Sequence, residues 1–285
     1  MAGERTLWAR TRSPGKTGRT ALSAALLLRC LGIVLLIAMP FLLGWLIRTF
    51  YFSRNPHFTL RQIVVQTGET VSEASLLEIM GLETGMNLFA IDLGAKRRTF
   101  LQNAHHVRNL QIKRILPDRL EIRVTERRPV ARIGRRGNLV VDEQGLVFVR
   151  RGDLDLLPSL VGGRRAQSGS VLVVAEEPIP IEPGTRLSGN ALAGVAAIVL
   201  NEDPGFNLPV LEVDVSPLDY ITLYLADRSE VRLAWDGMGG TSRRSREHLR
   251  HRFNQAMYGL AQTATAGYRL IDVTVDDSHV HAYGR

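Results

Sequence analysis

The sequence predicts an α+β protein: a single N-terminal transmembrane helix, a β-α-α-β-β module, and a strand-rich α+β domain that ends in a β-hairpin. Three observations predict it. An uncharged apolar run fills residues 30–47 (CLGIVLLIAMPFLLGWLI). Hydrophobic patterns in the order strand, helix, helix, strand, strand follow it. From residue 128 onward, short alternating segments separated by Gly, Asp and Pro turns outnumber the helical ones.

As a helix the apolar run is roughly 27 Å long, close to the bilayer core of about 30 Å. Residues 21–28 extend it beyond Arg29, whose long side chain can snorkel to the headgroups. Trp45, Phe50 and Tyr51 suit an interfacial belt. The preceding tail carries Arg5, Arg10, Arg12, Lys16, Arg19 and Arg29 against Glu4 alone. Basic flanks stay in the cytoplasm, so the N-terminus is expected inside and the bulk of the chain in the periplasm, with one pass through the inner membrane. A cleaved signal peptide fits less well, because bulky residues follow the run where a cleavage site needs small ones.

Residues 1–29 are expected to form a disordered basic tail, and residues 30–50 the transmembrane helix. The chain's net charge of +8 and pI of 10.2 are concentrated in that tail and do not point to nucleic acid. Gly15-Lys16-Thr17 resembles the end of a phosphate loop only superficially, since Arg10 stands where that motif needs glycine. Cys30 is the only cysteine. The exported part therefore relies on its cores rather than on disulfides.

The first exported module covers residues 56–127. Ile63, Val64 and Val65 make residues 58–66 a strand. Gly68 turns the chain, and Ser72 caps a helix with Leu76, Leu77, Ile79 and Met80 on its apolar face. Gly81 and Gly85 mark its end. Asp92 opens a second helix carrying Leu93, Phe100 and Leu101, with Lys96, Arg97 and Arg98 toward water. A hairpin follows: Leu110 and Ile112 alternate with polar residues, residues 116–119 turn, and Leu120, Ile122 and Val124 alternate back.

The second domain, residues 128–285, is read as follows. Residues 139–148 form a hairpin around 142–145, residues 162–170 a Gly/Ser/Arg loop, and residues 192–200 a small-residue helix. Leu211, Val213 and Val215 alternate, as do Ile221, Leu223 and Leu225, and residues 227–229 turn into Val231, Leu233 and Trp235. A helix over 242–261 presents Leu249, Phe253, Met257 and Leu260, with Arg243, Arg244, Arg246, Arg250 and Arg252 elsewhere. Residues 270–275, a turn at 276–278 and residues 279–283 close the chain as a hairpin.

Little here suggests chemistry. His105 and His106 are adjacent and point apart in regular structure. His279 and His281 share a strand face, but no Cys or carboxylate set completes a metal site. G-x-S-x-G is absent, and the prominent aspartates sit in turns. Residues 237–240 (GMGG) before a helix read as a loop and cap rather than an anion site. No catalytic residue, metal or cofactor is assigned. The last strand, with no later segment to cover it, is expected to be a free edge able to pair with an incoming strand.

The first module resembles a POTRA module. Residues 116–133 (LPDRLEIRVTERRPVARI) resemble the join between the POTRA and second domains of the bacterial cell-division family FtsQ, called DivIB in other lineages. Residues 140–146 (VVDEQGL), 157–162 (LPSLVG) and 268–275 (YRLIDVTV) keep that family's order on the same topology. The resemblance implies a non-enzymatic, bitopic scaffold of the division machinery at the division site. Its second domain would bind small bitopic proteins of the FtsB/FtsL type through the terminal hairpin and the preceding helix, and its POTRA module would dock other division proteins. Carried onto this chain, it implicates Thr274, Val275, Asp277, Ser278, Val280 and Tyr283, together with Arg243 and Arg246. The free-edge reading adds His279 and His281. Thr274 and Val275 replace an Arg-Tyr pair usual in enterobacterial members, and Tyr283 replaces a Trp. The alternatives are a POTRA chaperone of polypeptide transport and a membrane-anchored exported enzyme.

Overall fold

The computed structural model describes residues 18–47, 51–52, 55–68, 70–150, 154–162, 171–174, 177–263, 269–275 and 281–284. Helix α1 (Gly18–Ile47) contains the apolar run. It starts inside the stretch expected to be a disordered tail, because residues 20–28 are rich in the helix formers Ala and Leu and continue the span without a break. Its Leu28–Ile47 part, with mean hydropathy 2.6, is long and apolar enough to cross a membrane. Leu31, Ile33, Leu36 and Phe41 are exposed around it, as lipid-facing side chains would be.

Two compact units make up the chain. One comprises Met1–Val64, Leu82–Asp92 and Arg114–Leu120; the other comprises Val65–Gly81, Leu93–Lys113 and Glu121–Arg285. In the first unit, Pro56–Phe58 form a 3-10 turn whose entry Asn55 caps through its side chain. The strand expected from residue 58 therefore starts late, at β1 (Gln62–Gln66). Leu60 N–H donates to Met86 O (2.7 Å), and Leu88 N–H donates to Phe58 O (2.9 Å). Phe52, Phe58 and Phe89 cluster with ring centroids 4.9–5.7 Å apart. Arg114 donates to Leu88 O (2.9 Å) and Ile91 O (2.8 Å).

The second unit begins with α2 (Glu73–Met80), which Ser72 caps by accepting from Ser75 N–H and Gly81 ends in the left-handed region. Leu76 and Met80 are buried, whereas Ile79 is exposed, contrary to expectation. Helix α3 (Leu93–Asn103) buries Leu93 and Phe100. Lys96 and Arg97 do not simply face water. Lys96 donates to Met80 O (2.5 Å), and Arg97 donates to Leu110 O (2.7 Å). Strands β2 (Val107–Ile115) and β3 (Arg119–Glu126) form the expected hairpin, and the three-stranded sheet runs β1-β3-β2.

Glu126, the last residue of β3, holds the loop before α2. Its Oε1 accepts from Thr70 N–H (2.9 Å) and Val71 N–H (3.0 Å). Burial raises the carboxyl's pKa, but the bonds from Thr70 and Val71, helped by His106, outweigh burial and leave it below its ordinary value. His106 is lowered chiefly by its own burial and by His105, against the pull of Glu126.

The rest of this unit is a nine-stranded mixed sheet. Its strands in chain order are β4 (Pro129–Ile133), β5 (Leu139–Asp142), β6 (Val147–Val149), β7 (Ser159–Val161), β10 (Val210–Asp214), β11 (Ile221–Leu225), β12 (Glu230–Leu233), β13 (Arg269–Val273) and β14 (His281–Gly284). Their order across the sheet is β14-β13-β12-β11-β10-β7-β4-β5-β6. Three neighbouring pairs, β4/β7, β7/β10 and β12/β13, are parallel. A separate hairpin joins β8 (Val171–Val174) to β9 (Glu177–Pro180).

Helix α4 (Gly189–Asn201) packs on β4, β7, β10 and β11, and α5 (Arg243–Gln262) on β13 and β14. Between helices and sheet lies one core that includes Ile133, Leu160, Val195, Val213, Leu223, Leu233, Leu249, Phe253 and Ile271. On β5, Val141 joins that core, whereas Val140 packs with Phe148 and Leu154 in a smaller cluster, as strand alternation requires. Arg127 and Asp142 form a mostly buried ion pair (2.5 Å), and Asp142 also accepts from Gln144 and Leu146 N–H.

The glycine run does serve as loop and cap. Gly239 has φ +78°, and a Cβ there would lie 2.5 Å from Gly189 O, so only glycine fits. Ser242 then caps α5 by accepting from Ser245 N–H (3.1 Å). Ser245 in turn links Gly237 O to Trp235 Nε1.

Candidate functional site

The two ends of the nine-stranded sheet differ. At the β6 end the backbone at Gly145 and Val147 is bonded by the segment before α4. Gly184 N–H donates to Val147 O (2.8 Å), Val147 N–H to Thr185 O (2.9 Å), and Leu187 N–H to Gly145 O (2.8 Å). At the other end β14 pairs with β13 alone, in antiparallel register from Arg269↔Gly284 to Asp272↔His281. Among the described residues no strand lies beyond it. An edge of this kind carries N–H and C=O groups that another chain can pair with.

This edge is held from below by α5 and by side chains of β13. Arg252 is one of the five arginines expected away from the apolar face, but it is buried. Helical spacing explains why: residues 245, 249, 252, 253 and 256 share the buried side. Arg252 Nη1 donates to Val275 O (2.9 Å) and Gln255 Oε1 (3.1 Å), tying α5 to the end of β13. Asp272 Oδ1 accepts from the Thr274 N–H (3.0 Å) and hydroxyl (2.7 Å), which shapes the chain as it leaves β13.

Arg269 opens β13 and is anchored three ways, by Ser229 Oγ (3.1 Å), Leu260 O (3.0 Å) and the Asp227 carboxylate. Burial pushes the Asp227 carboxyl up, but bonds from Ser229 and the Arg269 guanidinium bring it below its ordinary value. Sequence reading missed Arg252, Arg269 and Asp272. The helical spacing of Arg252 was the available signal; Arg269 acts through partners about forty positions away, and Asp272 through Thr274 two residues on.

Residues 58–127 match the family model described as "POTRA domain, FtsQ-type". The chain is 28% identical over 181 residues to the cell division protein FtsQ of Myxococcus fulvus, covering 63% of this chain and 60% of that protein. It is 23% identical over 206 residues to FtsQ of Bartonella bacilliformis, covering 62% and 67% of the two chains. It is 25% identical over 100 residues to the cell division protein DivIB of Clostridium acetobutylicum, covering 35% and 40%. The chain carries an FtsQ-type POTRA domain and is similar to FtsQ and DivIB proteins. Its match spans less than two thirds of the Myxococcus FtsQ length.

Of the partner-binding residues expected from the sequence, Thr274 and exposed Val275 leave β13, and His281 and Tyr283 lie on β14. Asp277, Ser278, His279 and Val280 lie outside the described residues. Arg243 is on the first turn of α5, in an exposed pair with Glu247 (2.7 Å). Arg246 lines a groove between α4 and α5 that, among the described residues, no hairpin residue lines. The histidine pair expected on one strand face thus has only His281 within the described strand.

Proposed function

We propose that this chain is a non-enzymatic scaffold of the bacterial cell-division machinery, anchored by α1 with its basic N-terminus in the cytoplasm and its bulk in the periplasm. In this reading residues 56–127 are a docking module, and residues 128–285 bind small bitopic division proteins of the FtsB/FtsL type. The partner contributes a strand beside β14. One observation carries the reading: the 184–187 segment bonds the start of β6, while among the described residues β14 ends the sheet order. Main-chain pairing tolerates changes of side chain, so it accommodates Thr274, Val275 and Tyr283 where other members have different residues.

Successive residues of a strand direct their N–H groups to opposite sides. Of His281→Pro and Ala282→Pro, one therefore removes a donor toward β13 and the other a donor toward the incoming strand. Capture of co-expressed bitopic partners by the detergent-solubilised full chain should fall about tenfold or more for the outward variant, with its melting temperature unchanged. Normal capture by both variants would contradict strand addition.

A further inference from the structure

Helix α4 (GNALAGVAAIVLN) has no charged residue. One side of it is in the core. Leu192, Ala196, Val199 and Leu200, spaced i, i+4, i+7 and i+8, form a second apolar stripe that stays half-exposed. Together with Leu249 of α5 this stripe floors an open groove of about 500 Å³. An apolar helix face of this kind is ordinarily covered.

The opposite bank supplies charge. Arg246 and Arg250, four residues apart, lie on the same side of α5. Arg250 is fixed, paired with Asp203 (2.5 Å) and stacked over the Phe206 ring (5.7 Å). Glu143, the other carboxylate at the groove, is engaged by Arg108 (3.0 Å). Arg243, Arg244 and Arg252 have their own partners in Glu247, Asp236 and Val275 O. Among the described residues, Arg246 is the arginine of α5 whose charge is left over, at the edge of an apolar floor.

The long walls are helices whose backbone groups are bonded internally, and the turn residues Glu143, Gln144, Gly240 and Thr241 close the rest, so no strand edge faces the groove among the described residues. An occupant must satisfy its own backbone, which a helix does. We propose that the α4–α5 groove docks a short amphipathic helix of a partner protein, with apolar side chains on the Leu192–Leu200 stripe and a carboxylate on Arg246. This site is separate from the β14 edge and does not depend on strand addition there.

The test places a photo-reactive p-benzoylphenylalanine at Ala196, or at Val199 if the first variant melts early, in the full membrane-anchored chain within its own cells. The control position is exposed Leu211 on β10. Cross-linked segments are then sequenced by mass spectrometry. The expected product is a segment of another protein with apolar residues at helical spacing and an Asp or Glu beside them. Its yield should drop about tenfold when Arg246→Glu is added and hold when Arg244→Glu, on α5 but outside the groove, is added. Equal losses with both charge reversals would overturn the proposal. So would a lipid adduct, a cross-link to a second copy of this chain, or no product above the Leu211 control.

Discussion

Glu126 and His106 are neighbouring titratable groups whose shifts act in the same direction. Glu126 has a lowered pKa, so its contribution to folding is complete above its ordinary 4.5 and is lost as pH falls through the lower folded value. His106 is also lowered, so the fold favours its neutral form, and stability declines as pH drops below the ordinary 6.5 toward the lower folded value. Acidification should therefore lower the stability of the fold first through His106 and then through Glu126, and only the second stage releases the loop at residues 70–72. The unfolding free energy followed from about neutral pH downward should show two steps. His106→Gln should remove the upper step and Glu126→Gln the lower. A flat profile in the unmutated chain would contradict this account. Nothing in the local sequence marks the pair, because Glu126 reaches Thr70 and Val71 across more than fifty positions.

At the scale of elements, α5 is both core helix and support for the sheet edge. Arg252→Met keeps the apolar stem but removes the donor to Val275 O. The cost should be about 1–3 kcal/mol, with faster amide exchange at residues 273–275 and little change in the middle of α5. Lysine should not rescue it, since a single ammonium cannot reproduce the guanidinium's spread of donors. Elements with strong local signals were legible in the sequence: α2 through Ser72 and Gly81, α5 through its 3.6-residue pattern, and the β2–β3 and β5–β6 hairpins through alternation. The parallel neighbours β4, β7 and β10 were not, because parallel pairing joins segments far apart in sequence. The β8–β9 hairpin was missed because two prolines in its second strand mask the alternation.

At the scale of the whole molecule, the chain combines a helix long and apolar enough to cross a membrane, an FtsQ-type POTRA domain and a nine-stranded sheet. In the proposed function these serve as an anchor, a docking unit and a pairing edge. The edge was legible in the sequence only as a hairpin. Its significance comes from the contrast with β6, whose bonding by residues 184–187 is visible only in three dimensions. The arginines of α5 were legible as a group but not by role. Arg252 turned inward to hold the edge, Arg250 was fixed on Phe206, and Arg246 faced a groove. The β14 edge and the α4–α5 groove are separate surfaces on one sheet-and-helix unit, so a single partner or two different ones could use them.

The central claim is main-chain pairing at β14, and amide hydrogen exchange of the full chain in lipid nanodiscs, with and without the co-purified bitopic partner, tests it most directly. The account predicts new protection at alternate amides of residues 281–284, those not already bonded to β13, while the amides of β6 stay unchanged. Partner-dependent protection confined to other elements, with β14 exchanging as fast as in the free chain, would contradict it.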